Sequence, residues 1–329
     1  MNVVAENITK AMANVDADIK DKSMKVAFLF PGQGSQAIGM GKEFYDSYDI
    51  AKELFEIASN VLKIDMKDLL FNENENLNKT QFTQPAILLT SYIAYILFSK
   101  QNNITPEFAL GHSLGEITAN VISGSLSFEN AIRLVYARGQ LMQKACNNLN
   151  AGMAVVIGLE DEVLEDFCKD KNDIWCANYN SSSQIVLAGS KSALDNFQKD
   201  IKDLGAKKIV MLPMSIASHC PLLNSIIDEF RDVLNDYLLD SFRFEIISNA
   251  TIESYHTKEK ALALLTMQLT KPVFYKQSII NNENRIDCFI EFGYGNVLKG
   301  LNKRLSSKPT YCISNNLSLE STINELRKH

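Results

Sequence analysis

Short apolar runs alternate with longer amphipathic stretches through the first 150 residues of the chain. The runs KVAFLF (25–30) and EFALG (107–111) have the length and composition of buried strands. Helical periodicity appears near 41–62 and again in a segment that opens near Pro85. A helix follows the second strand directly, and another begins at Ser127, which has the residue type of an N-cap. Strands that are repeatedly followed by helices predict an α/β body.

The pattern changes near residue 150. Between 150 and 213 the predicted order is strand, helix, strand, strand, helix, strand, which is the order of a small ferredoxin-like unit. After residue 213 the helix-like and strand-like segments again resemble those of the α/β body in the first 150 residues. We therefore predict a large α/β subdomain formed by 24–149 and 214–329, with a ferredoxin-like small subdomain, 150–213, inserted into it.

The first 23 residues lie outside this pattern. Apolar residues recur there at helical spacing, which is compatible with one amphipathic helix: Val4, Ile8, Met12, Val15 and Ile19. A leader segment without a fold of its own explains the same residues equally well. The segment has no arginine and several acids, so it is typical of neither a secretory signal nor a transit peptide. We treat 1–23 as an N-terminal extension.

The composition restricts the class of protein. The 329-residue chain has a formal net charge of −6, which argues against a general nucleic-acid binder. Its six cysteines contain no C-x-x-C pair, and they predict reduced thiols in a cytoplasmic protein, without a disulfide framework or a zinc site. The longest apolar run, 86–98, is too short to cross a bilayer and contains Thr, Ser and Tyr. We therefore predict a buried helix there and no membrane partner.

The stretch GHSLG places Ser113 between a short strand and a helix. On such a turn the hydroxyl projects at the end of the strand, beside the N–H of Leu114 and the N-terminus of the helix. This arrangement suits a nucleophile and one half of an oxyanion hole. An ordinary loop of small residues would have the same composition, so the motif alone does not decide.

A serine nucleophile needs a base, and the chain contains four histidines. His329 is the last residue, His256 lies in a polar stretch, and His112 adjoins the serine and should point elsewhere on a tight turn. Elimination favours His219, although a structural turn histidine would have the same context. Nothing around the neighbouring Cys220 indicates a reactive thiol.

Arg138 falls within the apolar stripe of the helix predicted over 129–147, together with Leu134, Leu141 and Met142. A guanidinium on a buried face needs a partner. That partner is either an internal Asp or Glu, or the carboxylate of a substrate held by two parallel hydrogen bonds. The sequence leaves both alternatives open.

The turn PGQGSQA contains a weak match to a dinucleotide-binding fingerprint at Gly32, Gly34 and Ala37. No second strand that ends in an acid follows at the required distance, so we discount a dinucleotide site. Gln33, flanked by glycines directly after a strand, is better interpreted as a second oxyanion donor.

Six motifs occur in the order seen in malonyl-CoA:acyl carrier protein transacylases: FLFPGQGSQAIGMG, TQPAILL, GHSLGE, ARGQLMQ, NYNSSSQIVLAG and SHC. Over roughly residues 24–305 the chain resembles this family. The resemblance implies an α/β-hydrolase-like large subdomain with an inserted ferredoxin-like small subdomain. It also implies ping-pong transfer of a malonyl group from malonyl-CoA to the phosphopantetheine thiol of an acyl carrier protein, in support of fatty-acid synthesis and without a cofactor.

The resemblance further implies a role for individual residues. Ser113 would carry the malonyl ester and His219 would be the base. Gln33 and the Leu114 N–H would form the oxyanion hole, and Arg138 would bind the malonyl carboxylate. Gln84 and Met142 would contact the substrate. The backbone carbonyl of Gln268 would orient His219, and Asn180 would contact the carrier or the CoA arm.

An acidic chain that must meet an acidic carrier protein is expected to have a local basic patch. Lys299, Lys303 and Arg304 lie on one face of a predicted helix, and Lys207 and Lys208 are further candidates. A solvated helix face would have the same composition.

Three other functions remain open from the sequence. A trans-acting polyketide acyltransferase shares the chemistry, and the stretch IASH also resembles enzymes of that kind that take methylmalonyl. A serine hydrolase would use water as acceptor, but no Asp in a recognisable triad context follows Ser113. A docking module that binds the carrier would not need Ser113, His219 and Arg138 together.

Overall fold

A computed structural model of the protein describes residues 24–328. The strands are β1 (Val26–Phe30), β2 (Phe108–Gly111), β3 (Ala151–Ile157), β4 (Ile174–Ser181), β5 (Gln184–Ser190), β6 (Lys208–Met211), β7 (Glu245–Ile247), β8 (Ser254–Tyr255), β9 (Cys288–Phe292) and β10 (Thr310–Ile313). The predicted N-terminal helix lies outside the described residues.

Fourteen α-helices connect and cover these strands in the described range. They are α1 (Lys42–Ser47), α2 (Asp49–Leu62), α3 (Met66–Phe71), α4 (Thr80–Ser99), α5 (Leu114–Ser123), α6 (Phe128–Cys146), α7 (Asp161–Lys169), α8 (Lys191–Asn196), α9 (Gln198–Asp203), α10 (Ile227–Tyr237), α11 (Lys258–Gln268), α12 (Tyr275–Asn282), α13 (Val297–Asn302) and α14 (Asn316–Leu326). Short 3₁₀ turns occupy Asn76–Asn78, Pro221–Ile226 and Glu283–Arg285.

The larger sheet has the order β10-β9-β1-β2-β7-β8, and all neighbours except β7 and β8 are parallel. All five residues of β1 are buried, as expected for a central strand covered on both faces. Because parallel strands end at one edge, the turns after β1, β2 and β7 meet there. That edge holds Gln33, Ser113 and Asn249.

The smaller sheet has the order β4-β5-β3-β6 with antiparallel neighbours, and α7, α8 and α9 connect its strands. This is the ferredoxin-like arrangement. The predicted fold class, an α/β-hydrolase-like large subdomain with an inserted ferredoxin-like small subdomain, is confirmed. The boundaries at 150 and 213 stay a prediction.

Backbone hydrogen bonds join the smaller sheet to the segment that precedes α12. The N–H of Tyr179 on β4 donates to the carbonyl of Val273 (2.9 Å), and the N–H of Val273 donates to the carbonyl of Ala177 (2.8 Å). An ion pair between Lys276 on α12 and Asp161 on α7 adds a side-chain link. The small subdomain is therefore attached to the large one through the segment around Val273 and α12.

Helix α4 contains the long apolar run that the sequence assigned to a buried helix. It starts five residues before Pro85, which lies inside it. Its length and mean hydropathy of 1.3 would suit a membrane span, but 72% of that window is buried within the protein. Such burial is typical of a core helix.

Candidate active site

Ser113 occupies a strained turn between β2 and α5, with φ 53° and ψ −105°. The turn needs its glycines, because the backbones approach closely. A Cβ at Gly111 would lie 1.8 Å from the carbonyl carbon of Gly115, and one at Gly115 would lie 1.9 Å from the oxygen of Phe30. The glycines of the GHSLG stretch thus allow α5 to pack directly against β1 and β2.

Asn249, at the first turn after β7, holds this conformation. Its Oδ1 accepts a hydrogen bond from the N–H of Ser113 (2.7 Å), and its Nδ2 donates to the carbonyl of Gly111 (2.7 Å). One side chain therefore clamps both sides of the serine turn.

His219 is the histidine that the structure brings to Ser113. It is 2% exposed, and its Nε2 lies 2.8 Å from the serine Oγ. Its Nδ1 lies 2.7 Å from the backbone oxygen of Gln268. Since a carbonyl can only accept, the proton belongs on Nδ1, and Nε2 is free to accept the serine proton. Burial, and then the charge of Arg138, lower the pKa of His219 to about 3, so the ring is neutral near pH 7.

The other histidines in 24–328 do not contact the serine hydroxyl. His256 is exposed. Nε2 of His112 donates to Oδ1 of Asn180 (2.8 Å), away from Ser113. Asn180, which the resemblance associated with the carrier or CoA arm, thus has its side-chain oxygen occupied, and its neighbour Asn178 lines the cavity instead.

Arg138, on α6, is 2% exposed and points at the serine. Its Nη1 donates to Oε1 of Gln84 (2.8 Å), and its Nη2 donates to Oε1 of Gln268 (3.1 Å) and to Oγ of Ser113 (3.2 Å). Within the described part of the chain it forms no ion pair with an Asp or Glu. Burial lowers the pKa of Arg138 to about 10, which leaves it charged near pH 7. The side-chain oxygens of Gln84 and Gln268 therefore hold the charged guanidinium, and no carboxylate is bonded to it directly.

A small cavity of about 70 Å³ opens over Ser113. The remaining predicted residues line it: Gln33, Gln84, Leu114 and Met142. The backbone N–H groups of Gln33 and Leu114 donate to no other residue in the described range. Two free donors beside the serine can receive a developing oxyanion.

Apolar side chains and one buried amide complete the cavity. Met153, Leu212, Met214 and Ile216 form the apolar wall. Oδ1 of Asn178 has no hydrogen-bond partner in the described residues. A buried polar atom without a partner destabilises an empty site and favours a polar ligand.

Sequence reasoning missed Asn249, Asn178 and Glu116. Glu116 is fully buried in the first turn of α5 and accepts from Tyr255 and Gln268. Burial raises the pKa of Glu116 to about 7. Two features of the sequence could have pointed to these residues. Asn249 stands directly after a strand of the parallel sheet, and Glu116 is the last residue of the GHSLGE motif.

The described residues contain no group of three or more His, Cys, Asp or Glu side chains that could hold a metal ion. All six cysteines are free. The expectation that no cofactor is needed stays a prediction.

The candidate basic patch lies on and just after α13. Lys299 is half-buried, whereas Lys303 and Arg304 are exposed. Lys207 and Lys208 are exposed at the start of β6. A docking role for either group stays a prediction.

The fold and this constellation define a class of enzyme, and the chain belongs to the family of the acyl transferase domain, whose model matches residues 27–305. Within it, the malonyl CoA-acyl carrier protein transacylase of Bacillus subtilis (strain 168) is 35% identical over 311 residues, which cover 92% of this chain and 98% of the relative.

Solved structures agree. The crystal structure of malonyl-CoA:acyl carrier protein transacylase from Helicobacter pylori has 53% identity and a TM-score of 0.92, covering 93% of this chain and all of that one. A malonyl-transacylase in complex with its holo type II PKS acyl-carrier protein has 32% identity and a TM-score of 0.88, covering 92% and 99%.

Proposed function

We propose that the protein transfers a malonyl group from malonyl-CoA to the phosphopantetheine thiol of an acyl carrier protein and thereby supplies fatty-acid synthesis. The observation that carries this proposal is the buried guanidinium of Arg138, 3.2 Å from Oγ of Ser113 and without a directly bonded acid. An acyl group attached to Ser113 with a carboxylate at its far end would supply the missing anion. Malonyl is such a group, and the relatives named above support it.

In the first half-reaction, Oγ of Ser113 bonds to the thioester carbonyl carbon as His219 Nε2 takes the serine proton. The N–H groups of Gln33 and Leu114 stabilise the oxyanion. The carbon–sulfur bond then breaks, and His219 returns the proton to the CoA sulfur.

The second half-reaction reverses these steps with the carrier thiol. The thiol gives its proton to His219, its sulfur attacks the seryl ester, and Ser113 leaves with the proton restored. Gln84 and Met142 lie against the acyl group. The carrier approaches through the basic residues at 299, 303 and 304, and Asn180 contacts the carrier or the CoA arm.

The alternatives have less support. A hydrolase triad would place a carboxylate on Nδ1 of His219, where a backbone carbonyl lies. A polyketide acyltransferase would use the same site with a different carrier. Only the choice of carrier or extender would distinguish that role from fatty-acid synthesis. Location in the cytoplasm is part of the proposal, because all six cysteines are free.

Mass spectrometry of the intact protein tests the proposal. Incubation with malonyl-CoA should add one malonyl group, which peptide mapping places on Ser113, and addition of holo carrier protein should remove it. Ser113→Ala should remain unmodified. Ser218→Ala is the matched control, because Ser218 lines the same cavity but its hydroxyl donates to the sulfur of Met153 and not to the ring of His219. An adduct that persists in Ser113→Ala, or that appears equally with acetyl-CoA, contradicts the proposal.

A further inference from the structure

Glu116 is a buried carboxylate that the proposed reaction does not use. It follows Ser113 by three residues, and it has no exposed surface. Its Oε1 accepts from the hydroxyl of Tyr255 (3.0 Å), and its Oε2 accepts from Nε2 of Gln268 (2.7 Å) and from the N–H of Asn249 (3.0 Å). Both of the latter residues also contact the serine turn.

Gln268 has two separate functions in the site. Its backbone oxygen accepts from Nδ1 of His219, while its side-chain Oε1 accepts from Arg138. Its side-chain Nε2 donates to Glu116 and also to the carbonyl of Ser113 (3.0 Å). Both side-chain polar atoms and the backbone oxygen of Gln268 are therefore directed at the candidate active site or at Glu116.

The carboxylate of Glu116 determines which way the Gln268 amide faces. An ionised carboxylate only accepts hydrogen bonds, and a guanidinium only donates them. If the amide turned over, its oxygen would face the carboxylate and its NH₂ would face the guanidinium. Both contacts would be unfavourable, so the observed orientation is the one compatible with both charged neighbours.

We propose that Glu116 is a positioning residue, which acts through Gln268 to hold His219 and Arg138 in the geometry needed for acylation of Ser113. This inference rests on the proposed function. Glu116 does not reach the cavity, so it acts on the reaction without touching the acyl group. The same carboxylate fixes the backbone of Asn249, whose side chain clamps the serine turn.

The buried charges support this assignment. Glu116 and Arg138 are both completely enclosed, and one amide separates them. Burial alone opposes the charged form of each group, while the field of each favours the charged form of the other. Gln268 thus links the two groups by hydrogen bonds to both, and Arg138 is left free to receive a further carboxylate.

A double-mutant cycle on Ser113 acylation tests the inference. The variants are Glu116→Gln, Gln268→Met and the double variant, each treated with malonyl-CoA under single-turnover conditions. Glu116→Gln should slow acylation on the order of 10- to 100-fold, the range seen when a residue that orients a metal ligand is removed. Because Glu116 acts through the amide, the same change in the Gln268→Met background should have less than about a threefold effect. Independent, multiplicative effects would overturn the inference.

Tyr255→Phe is the matched control. It removes another hydrogen bond from the same carboxylate but leaves Gln268 and Asn249 in place. It should lower the melting temperature comparably to Glu116→Gln, while acylation stays within a few-fold of wild type. If Tyr255→Phe slows acylation as much as Glu116→Gln, the effect is general loosening of the core, and the inference fails.

Two further arms keep the test decisive. If Glu116→Gln does not fold, Glu116→Asp enters the cycle, because it keeps the buried charge but withdraws the carboxylate from Gln268. If the wild-type protein does not react with malonyl-CoA, the proposed function fails. The cycle is then measured with a fluorophosphonate, which reports the Ser113–His219 geometry without any acyl recognition, and additivity there still overturns the role of Glu116.

Discussion

Ser113 and Asn249 lie 136 positions apart in the chain and share a 2.7 Å hydrogen bond from backbone N–H to side-chain Oδ1. The bond connects the turn after β2 to the turn after the neighbouring parallel strand β7. It holds a serine whose φ of 53° is unfavourable for a residue with a side chain.

Replacing Asn249 with alanine should therefore release the serine turn. Strain of this kind costs about 1–3 kcal/mol when it is not supported, so acylation of Ser113 should slow about tenfold to a hundredfold. Timed quenching and mass spectrometry measure the rate. Ser248→Ala is the control, since its hydroxyl is equally buried but accepts only from the N–H of Ala250. A wild-type rate in a folded Asn249→Ala protein would show that the clamp is dispensable.

His219→Ala should slow both half-reactions by about 10²–10⁴, because the serine and the carrier thiol each lose their proton acceptor. Acylation and transfer to the carrier are measured separately. The exposed His256→Ala serves as control and should behave as wild type. Full activity of His219→Ala would assign the base to a different group.

The buried histidine also predicts how stability depends on pH. The pKa of His219 is lowered to about 3 in the folded protein, against an ordinary value near 6.5. The unfolded chain therefore binds a proton below about pH 6.5 that the folded protein does not. The contribution of His219 to stability is complete above that pH and is lost as the pH falls.

Urea unfolding at about pH 7.5 and pH 5 measures this contribution. Between them, wild type should lose about 2 kcal/mol more of its unfolding free energy than His219→Gln does. Comparing the two proteins removes the opposing effect of Glu116, whose raised pKa favours the folded state as the pH falls. If wild type and His219→Gln lost the same unfolding free energy between the two pH values, the ring would be protonated as readily in the folded state as in the unfolded one.

Arg138→Ala should lose malonyl transfer selectively. Removing one member of a desolvated ion pair costs about 3–5 kcal/mol, or about two to four decades in kcat/KM. Acetyl transfer should hold or rise, and Arg138→Lys should rescue little, because an ammonium group lacks the two-bond fork. Both acyl donors are compared alongside melting temperatures. Parallel loss of both activities with a large drop in melting temperature would make Arg138 structural.

Charge reversal at Lys299 and Lys303 should raise the KM for carrier protein and leave that for malonyl-CoA unchanged, with a smaller effect at high salt. Lys100→Glu is a suitable control, because Lys100 follows the last residue of α4. A helix of that length places it about 30 Å from the end that meets the site. Equal changes in both KM values would argue against the patch.

The parts of the site that are local in sequence could be predicted from it. The strand, the serine turn and the helix of 108–123 are contiguous, and their glycine spacing has one structural explanation. His219 followed by elimination among four histidines. The orientation of its ring by the Gln268 carbonyl came from family resemblance, and the distance of 2.7 Å agrees with that geometry.

The long-range contacts could not be predicted in the same way. Glu116 meets Gln268 across 152 positions, so only the folded sheet shows that the two touch. Whether Arg138 faces an acid or an empty cavity also depends on elements far apart in the chain. Asn178 and Asn180 are two apart on β4 and would share a face in a regular strand, but the pairing of β4 with β5 is irregular between Tyr179 and Ser181. The sequence does not show this irregularity, so it could not tell which of the two residues reaches the cavity.

The groups proposed to carry out the transfer and the apolar wall of the cavity come from different parts of the molecule. Ser113, Arg138 and Gln268 belong to helices and turns around the larger sheet. The wall residues lie on β3, for Met153, or in the segment after β6, for Leu212, Met214 and Ile216. The space for the acyl group can thus be redesigned, or can diverge in evolution, through these four side chains, which take no part in bond formation. Exchanging these wall residues between two relatives would therefore exchange their preference for acyl groups, while each protein would keep its own catalytic residues.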